Sequence, residues 1–297
     1  MKWFCISFVA AVVLSVDGSG TCPAAEPFQP NRGPDHDRIE VRCGKLTLLL
    51  RKDSQWTPGR FDYQGKAMTT EASAYGTVFQ VPDVGFIGTR HLENEPEPLT
   101  SLSFFVDGKE VAQPGKKIEA QKSFRFVRES RIRQFRLKCE WELREDRIFE
   151  TATVEAVEDG DLEYIYHFMH AWKPSVTAYL AGVDGEGIVD RGDLRDTDGE
   201  RKFVINRAVD WAAVYEPDSG QFAVSRLLSE PEEGKSTSKI WKVPNAYRKY
   251  YLTCLSKSSV PAGYSGTWKM VTAFGACQET GWEGKATVVA EELQTNH

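Results

Sequence analysis

The chain has 297 residues, a formal net charge of −6 and a hydrophobic fraction of 41%. That apolar content can build a core and excludes a disordered chain, and the acidic balance lacks the basic face that nucleic acid requires. The length suits one large β domain or two small ones.

The first residues read as a secretory signal. Lys2 is the early charge, an apolar run from Trp3 to Val16 is broken only by Ser7 and Ser15, and a small and polar stretch follows from Asp17 to Ala25. A charged start, a short apolar core and small residues before the cut make a signal peptide. The run is shorter than the ~20 residues of a spanning helix, and no membrane span is expected anywhere. Cleavage after Ala25 is favoured over a lipid anchor on Cys22, because Ser19, Gly20 and Thr21 lack the usual apolar residue. The expected product is secreted or periplasmic. Residues 26–38, rich in Pro, Asp and Arg, read as a leader arm before one β-sandwich domain over 39–297.

From Ile39 onward the dominant signal is period two. Strands are expected at 39–50, 76–81, 101–106, 122–128, 162–169, 176–181, 211–215, 221–227, 249–255, 267–274 and 285–290. The clearest is Phe135, Leu137, Cys139, Trp141 and Leu143 alternating with Arg136, Lys138, Glu140 and Glu142. That is one apolar and one charged face, as on a half-buried strand. Ile148, Ala152, Val154 and Ala156 continue it beyond a polar turn at Arg144 to Asp146, which predicts an antiparallel hairpin. Asp107-Gly108 is a second tight hairpin turn, and Glu216 to Gly220 a third turn. The one helix-like piece is Asn245 to Tyr251, after Pro244, and 182–201 reads as a long excursion between strands. Many strands, short turns and few short helices indicate an all-β sandwich or barrel.

No Gly-rich phosphate loop, nucleophile elbow or zinc-protease helix is present. No cofactor is expected. The acidic run at Asp193 to Glu200 fails as an EF-hand, since aligning Gly199 puts Leu194 and Ile205 where carboxylates are required. A looser calcium site from Asp190, Asp193, Asp196 and Asp198 stands beside a solvated loop neutralised by Arg191, Arg195 and Arg201. Cys43, Cys139, Cys254 and Cys277 allow two disulfides or buried thiols, and Cys254 with Cys277 is the expected pair.

Among the five histidines, His91 sits in a turn-rich loop beside Glu93, and reads either as an exposed loop residue or as a His that a carboxylate orients for acid–base work. Strand parity puts His170 on a face with Tyr164, Tyr166, Phe168 and Trp172, and His167 opposite. That face reads either as a sugar platform with a polar tip or as ordinary core. Arg60 and Asp62 flank Phe61 and can pair with each other or fix sugar hydroxyls. The stretch Trp241 to Tyr251 mixes aromatics with cations, Arg248 among them, and can rim a groove or cover the core.

The order of these pieces resembles the galactose-mutarotase-like superfamily, in its exported bacterial branch. Arg60-Phe61-Asp62 with Gly65 comes first, then the Gly88 loop leading to His91-Leu92-Glu93, then a strand ending in His170 with Trp172. The resemblance implies a large antiparallel super-sandwich with a sugar-binding concave sheet. It also implies a His as general acid on the ring oxygen and a Glu as general base on the anomeric hydroxyl. On it, His170 takes the acid role, with Arg60 and His91 as substrate contacts. From the residue readings above, Glu93 joins His170 as a catalytic candidate, and Asp62, Trp172 and Arg248 join the substrate-binding candidates. Tyr166 stands where the epimerases usually carry Asn, and the late Glu279 and Glu283 lack a neighbouring Pro. Three functions stay open: an enzyme on a sugar, a non-catalytic carbohydrate-binding protein, and a structural domain with no sugar site.

Overall fold

The computed structural model describes residues 38–52, 56–71, 76–89, 91, 94–112, 114–229 and 236–295. The expected signal peptide, the leader arm to residue 37 and Glu93 lie outside them. In chain order the strands are β1 (Arg38–Cys43), β2 (Leu46–Arg51), β3 (Thr57–Tyr63), β4 (Lys66–Ala67), β5 (Val78–Val81), β6 (Gly85–Ile87), β7 (Leu99–Val106) and β8 (Lys109–Val111). Then come β9 (Lys117–Ala120), β10 (Ser123–Ile132), β11 (Phe135–Arg144), β12 (Arg147–Ala156), β13 (Gly160–Leu162), β14 (Tyr164–Trp172), β15 (Ala178–Val183) and β16 (Gly187–Asp193). β17 (Lys202–Arg207), β18 (Trp211–Glu216), β19 (Gln221–Ser229), β20 (Thr237–Val243), β21 (Tyr247–Cys254), β22 (Ser258–Val260) and β23 (Ser265–Ala276) precede the helix α1 (Trp282–Thr295).

A ten-stranded antiparallel sheet in the order β16-β15-β18-β19-β23-β12-β11-β10-β7-β8 forms one layer. The facing layer holds a six-stranded sheet, β17-β20-β21-β14-β5-β6, and a five-stranded sheet, β4-β3-β2-β1-β9. These two are sewn together along β14, where Thr70 N donates to Ala171 O at 2.8 Å and Lys173 N to Met68 O at 3.1 Å. Between the layers the inward rings interlock: Phe61 stacks on Trp141 at 5.6 Å and Phe79 meets Phe135 at 5.4 Å. The expected all-β antiparallel super-sandwich is the observed architecture.

Local chemistry explains the hairpins. β11 and β12 pair in full register from Phe135↔Ala156 to Arg144↔Arg147, closed by Glu145 and Asp146 at φ of 54° and 57°. Those are the values of a two-residue turn that follows the strand twist. Gly44, at φ 59°, splits the expected strand over 39–50 into β1 and β2. The excursion over 182–201 contains β16, which pairs with β15.

Three expectations are corrected. Residues 285–290 are helical, within α1, because Trp282, Ala286, Ala290 and Leu293 recur at helical spacing and share its buried side. Asn245 to Tyr251 is a turn running into β21, not helix. Cys254 and Cys277 are both free thiols: Cys254 lies in the six-stranded sheet with its Sγ toward Ile165 O, while Cys277 packs beside α1 in the other layer. Among the described residues no helix is long and apolar enough to cross a membrane.

α1 covers part of the outer face of the ten-stranded sheet, with Trp282 stacked on Tyr215 at 5.3 Å and Arg226 donating to Ala290 O. Leu293 is fully buried there with Val271 and Val224 in its cluster. Truncating a buried Leu removes transfer energy and leaves a cavity. Leu293→Ala should therefore destabilise the protein by about 2–5 kcal/mol in urea unfolding followed by circular dichroism. A loss below about 0.5 kcal/mol would place the helix off the sheet.

Candidate functional site

β14 does not keep the parity that its sequence implies. Phe168 takes φ 56°, and the pairing with β21 slips between His167 and His170. A bulge of this kind adds a residue, and one extra residue sends every later side chain to the opposite face. A bulky residue in the left-handed region costs roughly 1–2 kcal/mol, and here Phe168 is held by near-complete burial. The result is that His167, His170 and Trp172 all point into the core. His167 lies 4.6 Å from Trp268, and His170 lies 5.3 Å from both Phe61 and Trp172, ring centre to ring centre. Tyr164, Tyr166 and Met169 point the other way, into a separate apolar cluster with Val78, Phe86 and Tyr251.

The inward histidines belong to a polar seam between the layers. His170 Nε2 and Glu150 Oε2 are 2.6 Å apart, and neither side chain is more than 1% exposed. Burial pushes the Glu150 carboxyl above the usual range, against the pull of the imidazole beside it. Thr77 Oγ1 meets His167 Nδ1 at 2.8 Å, and burial alone pushes His167 down to about 3. The third element is the fully buried pair of Arg128 and Glu97 at 2.7 Å, with Ser130 Oγ and Thr89 N also donating to Glu97. Breaking such a pair by removing one partner typically costs about 3–5 kcal/mol, because a charge is left unmatched.

The remaining expected residues are placed as follows. Trp172 is 2% exposed, within the core. Arg248 has no exposed surface: it donates to the carbonyls of Val243, Tyr247 and Pro174 and pairs with Asp196 at 2.8 Å. His170, Trp172 and Arg248 are thus all buried, and the shared aromatic face expected for His170 is corrected. Arg60 and Asp62 do pair, at 2.7 Å, and Arg60 also holds Glu71 at 3.0 Å. They lie on β3 on the side opposite the inward Phe61. His91 accompanies the outward tyrosines, with Tyr166 Oη 3.3 Å from its Nε2. Among the described residues no common groove joins the buried His170 to Arg60 or His91. The loop carboxylates are engaged by protein groups: Asp190 by Tyr179, Asp193 by Arg195, Asp196 by Asn245 N and Arg248, Asp198 by Lys242 and Lys202. Among the described residues no cluster of three metal-ligating side chains occurs.

What the structure assembles instead is an aromatic row on the outer face of the six-stranded sheet. Phe203 on β17 stacks with Trp241 on β20 at 6.2 Å and meets Tyr251 on β21 at 6.4 Å. Tyr251 lies 5.0 Å from Tyr166, Tyr166 lies 6.0 Å from Phe86, and Phe86 lies 5.2 Å from His91. The register fills the spaces with polar groups. Tyr166 pairs with Thr253 and Thr253 with Thr237, and Gln80 sits between Tyr164 and Phe86. Phe203 is 47% exposed, and Trp241, Tyr251, Tyr164 and Phe86 are half-buried. Burial raises the phenol of Tyr251 above its ordinary value. Trp241 and Tyr251 were within the stretch marked in the sequence, but Phe203 and Phe86 gave no signal of their own. Glu150 was not singled out either, although it carries a signal: it interrupts an otherwise apolar inward series from Ile148 to Val154.

No protein family and no curated protein matches the chain by sequence. By structure it is similar to the galactosidase domain of an alpha-galactosidase–sucrose kinase, with a TM-score of 0.51 and 8% identity over 80% of this chain and 40% of that one. The likeness is one of fold. Similar structures also include a galactose mutarotase related enzyme from Lactobacillus acidophilus, with a TM-score of 0.42 and 9% identity over 82% of this chain and 99% of that one. Another is a galactose mutarotase-like protein from Clostridium acetobutylicum, with a TM-score of 0.44 and 10% identity over 79% of this chain and 94% of that one.

The seam has a measurable consequence in acid. An unfolded histidine takes a proton near pH 6.5, whereas folded His167 takes one only near about 3. The folded state therefore binds fewer protons in that window, so His167's contribution is intact above about pH 6.5 and is lost as pH falls, by about 1.4 kcal/mol per unit. Urea melts between pH 7 and pH 4 should show this slope, and His167→Asn should flatten it by about one proton. An unchanged slope in the variant would show that His167 is not buried neutral.

Proposed function

We propose that this chain is a carbohydrate-binding protein whose ligand lies on the outer face of the six-stranded sheet. The observation that carries the reading is the contiguous row from Phe203 through Trp241, Tyr251 and Tyr166 to Phe86. A sugar ring offers an apolar face and a polar edge, and amphipathic aromatic rings beside hydroxyls and amides complement both. The burial of His170 supports a binding role over ring-opening catalysis at that residue, since an acid must come within hydrogen-bond reach of its substrate. Export, and with it a secreted or periplasmic setting with carbohydrate as the partner, belongs to the same proposal and rests on the charged-apolar-small start. Titration calorimetry with a panel of oligosaccharides tests the reading. Trp241→Ala and Tyr251→Ala should each weaken binding about tenfold, the scale of a lost aromatic contact, with the melting profile kept. Equal affinity in both variants would remove this face as the site.

One observation favours a second reading, in which the bound sugar also reacts. Tyr166 Oη and His91 Nε2 lie 3.3 Å apart on this same face, and a phenol beside an imidazole can pass a proton to or from a ligand. In that case Tyr166→Phe should keep sugar affinity and lower turnover by about 10²–10⁴-fold in mutarotation and polysaccharide-cleavage assays. Absence of turnover in the unaltered protein, on sugars that it binds, would leave the binding role alone.

A further inference from the structure

The aromatic row is accompanied by cations in a regular pattern. On β20 the central outward positions are Lys239 and Trp241, between Thr237 and Val243, and on β21 they are Lys249 and Tyr251, between Tyr247 and Thr253. The register sets Trp241 opposite Lys249 and Lys239 opposite Tyr251, so ring and ammonium alternate both along and across the strands. Cross-strand neighbours are about 5 Å apart and diagonal ones about 7–8 Å, which places the two cations within one ligand's span. Lys239 Nζ lies 5.2 Å from the ring centre of Phe203, and Lys249 Nζ lies 4.8 Å from that of Tyr247.

Charge composition sharpens the point. The chain carries 43 acidic and 37 basic residues, so a random outward surface would hold carboxylates as often as cations. The outward positions of β14, β20 and β21 hold Tyr, Met, Ala, Thr, Val, Trp and Lys, and no carboxylate. Partial burial holds the Lys239 ammonium below the ordinary lysine range, a cost that an anion seated beside it would offset.

We infer that the ligand of this face is an anionic carbohydrate, one bearing uronate carboxylates or sulfate esters on rings that stack along the aromatic row. The inference rests on the carbohydrate-binding reading and adds the charge of the ligand. Its chemistry is that of stacking with charge-assisted hydrogen bonds from Lys239 and Lys249 to the acidic groups.

The test is calorimetry at low and high salt with four probes: an oligogalacturonate, the same oligomer fully methyl-esterified, a sulfated oligosaccharide, and oligothymidylate. At least one anionic sugar should bind about tenfold or more tightly than the ester, and the advantage should shrink as salt rises. Comparing the uronate with the sulfated probe identifies which acid is recognised. Lys239→Gln and Lys249→Gln should each weaken the anionic sugar about tenfold and leave the ester unchanged. If one variant misfolds, the other and the ester comparison still decide. Equal binding of ester and acid, insensitive to both substitutions, would overturn the anionic inference while leaving carbohydrate binding intact. No binding of any sugar would overturn both, as would oligothymidylate binding more tightly than every sugar.

Discussion

The single residue on which this architecture turns is Phe168. Its left-handed backbone inserts a bulge into the strand that both sheets of one layer share, and so decides what each face of that layer presents. Without it, His170 and Trp172 would project outward with Tyr166, and Met169 would enter the core. With it, the outward side collects tyrosines and the inward side collects both histidines. Strain of roughly 1–2 kcal/mol is tolerated because the ring of Phe168 is buried and the following residues regain their ladder against Tyr250, Lys249 and Arg248.

That inversion forces a second feature. Two imidazoles placed between close-packed sheets need partners, since an unmatched buried polar group costs about 1–3 kcal/mol. The ten-stranded layer supplies Glu150 opposite His170, while Thr77, from the same layer as His167, supplies its hydroxyl. The Arg128–Glu97 pair extends the seam toward the edge of the sandwich. Such groups specify how one layer sits on the other, because a shift of either sheet would leave a carboxylate or a guanidinium unmatched in an apolar interior. The outer face is relieved of this duty: Gln80 and Thr237 stay part-exposed beside its rings, while Thr253 is buried among them.

The fold was largely legible in the sequence because half-buried strands write their faces in alternation, as β11 and β12 do. The C-terminal helix was missed because Lys285 to Ala290 is short, apolar in part and preceded by Gly281 and Gly284, and only the spacing from Trp282 to Leu293 reveals its period. The site was less legible for a specific physical reason. Parity reasoning assumes an unbroken strand, and nothing in Tyr-His-Phe-Met-His marks a bulge, since neither Gly nor Asn occupies the left-handed position. Arg248 read as a surface cation, yet the turn at Val243 and Pro244 wraps carbonyls around it and the 193–200 loop brings Asp196 to it. Arg60 and Asp62 were read correctly as a pair on one side of a strand. Phe203 could not be tied to Tyr251 by sequence, because that contact depends on the order β17-β20-β21-β14.

The central claim is that the two faces of β14 have separate duties, the inner one structural and the outer one ligand-bearing. A nuclear magnetic resonance titration of the labelled protein with a bound oligosaccharide tests it most directly. The account predicts shifts at the Trp241 indole and at Tyr251, Tyr166 and His91, with the His170, His167 and Trp172 resonances unmoved. Shifts centred on His170 and Trp172, with the outer aromatic row unaffected, would contradict it.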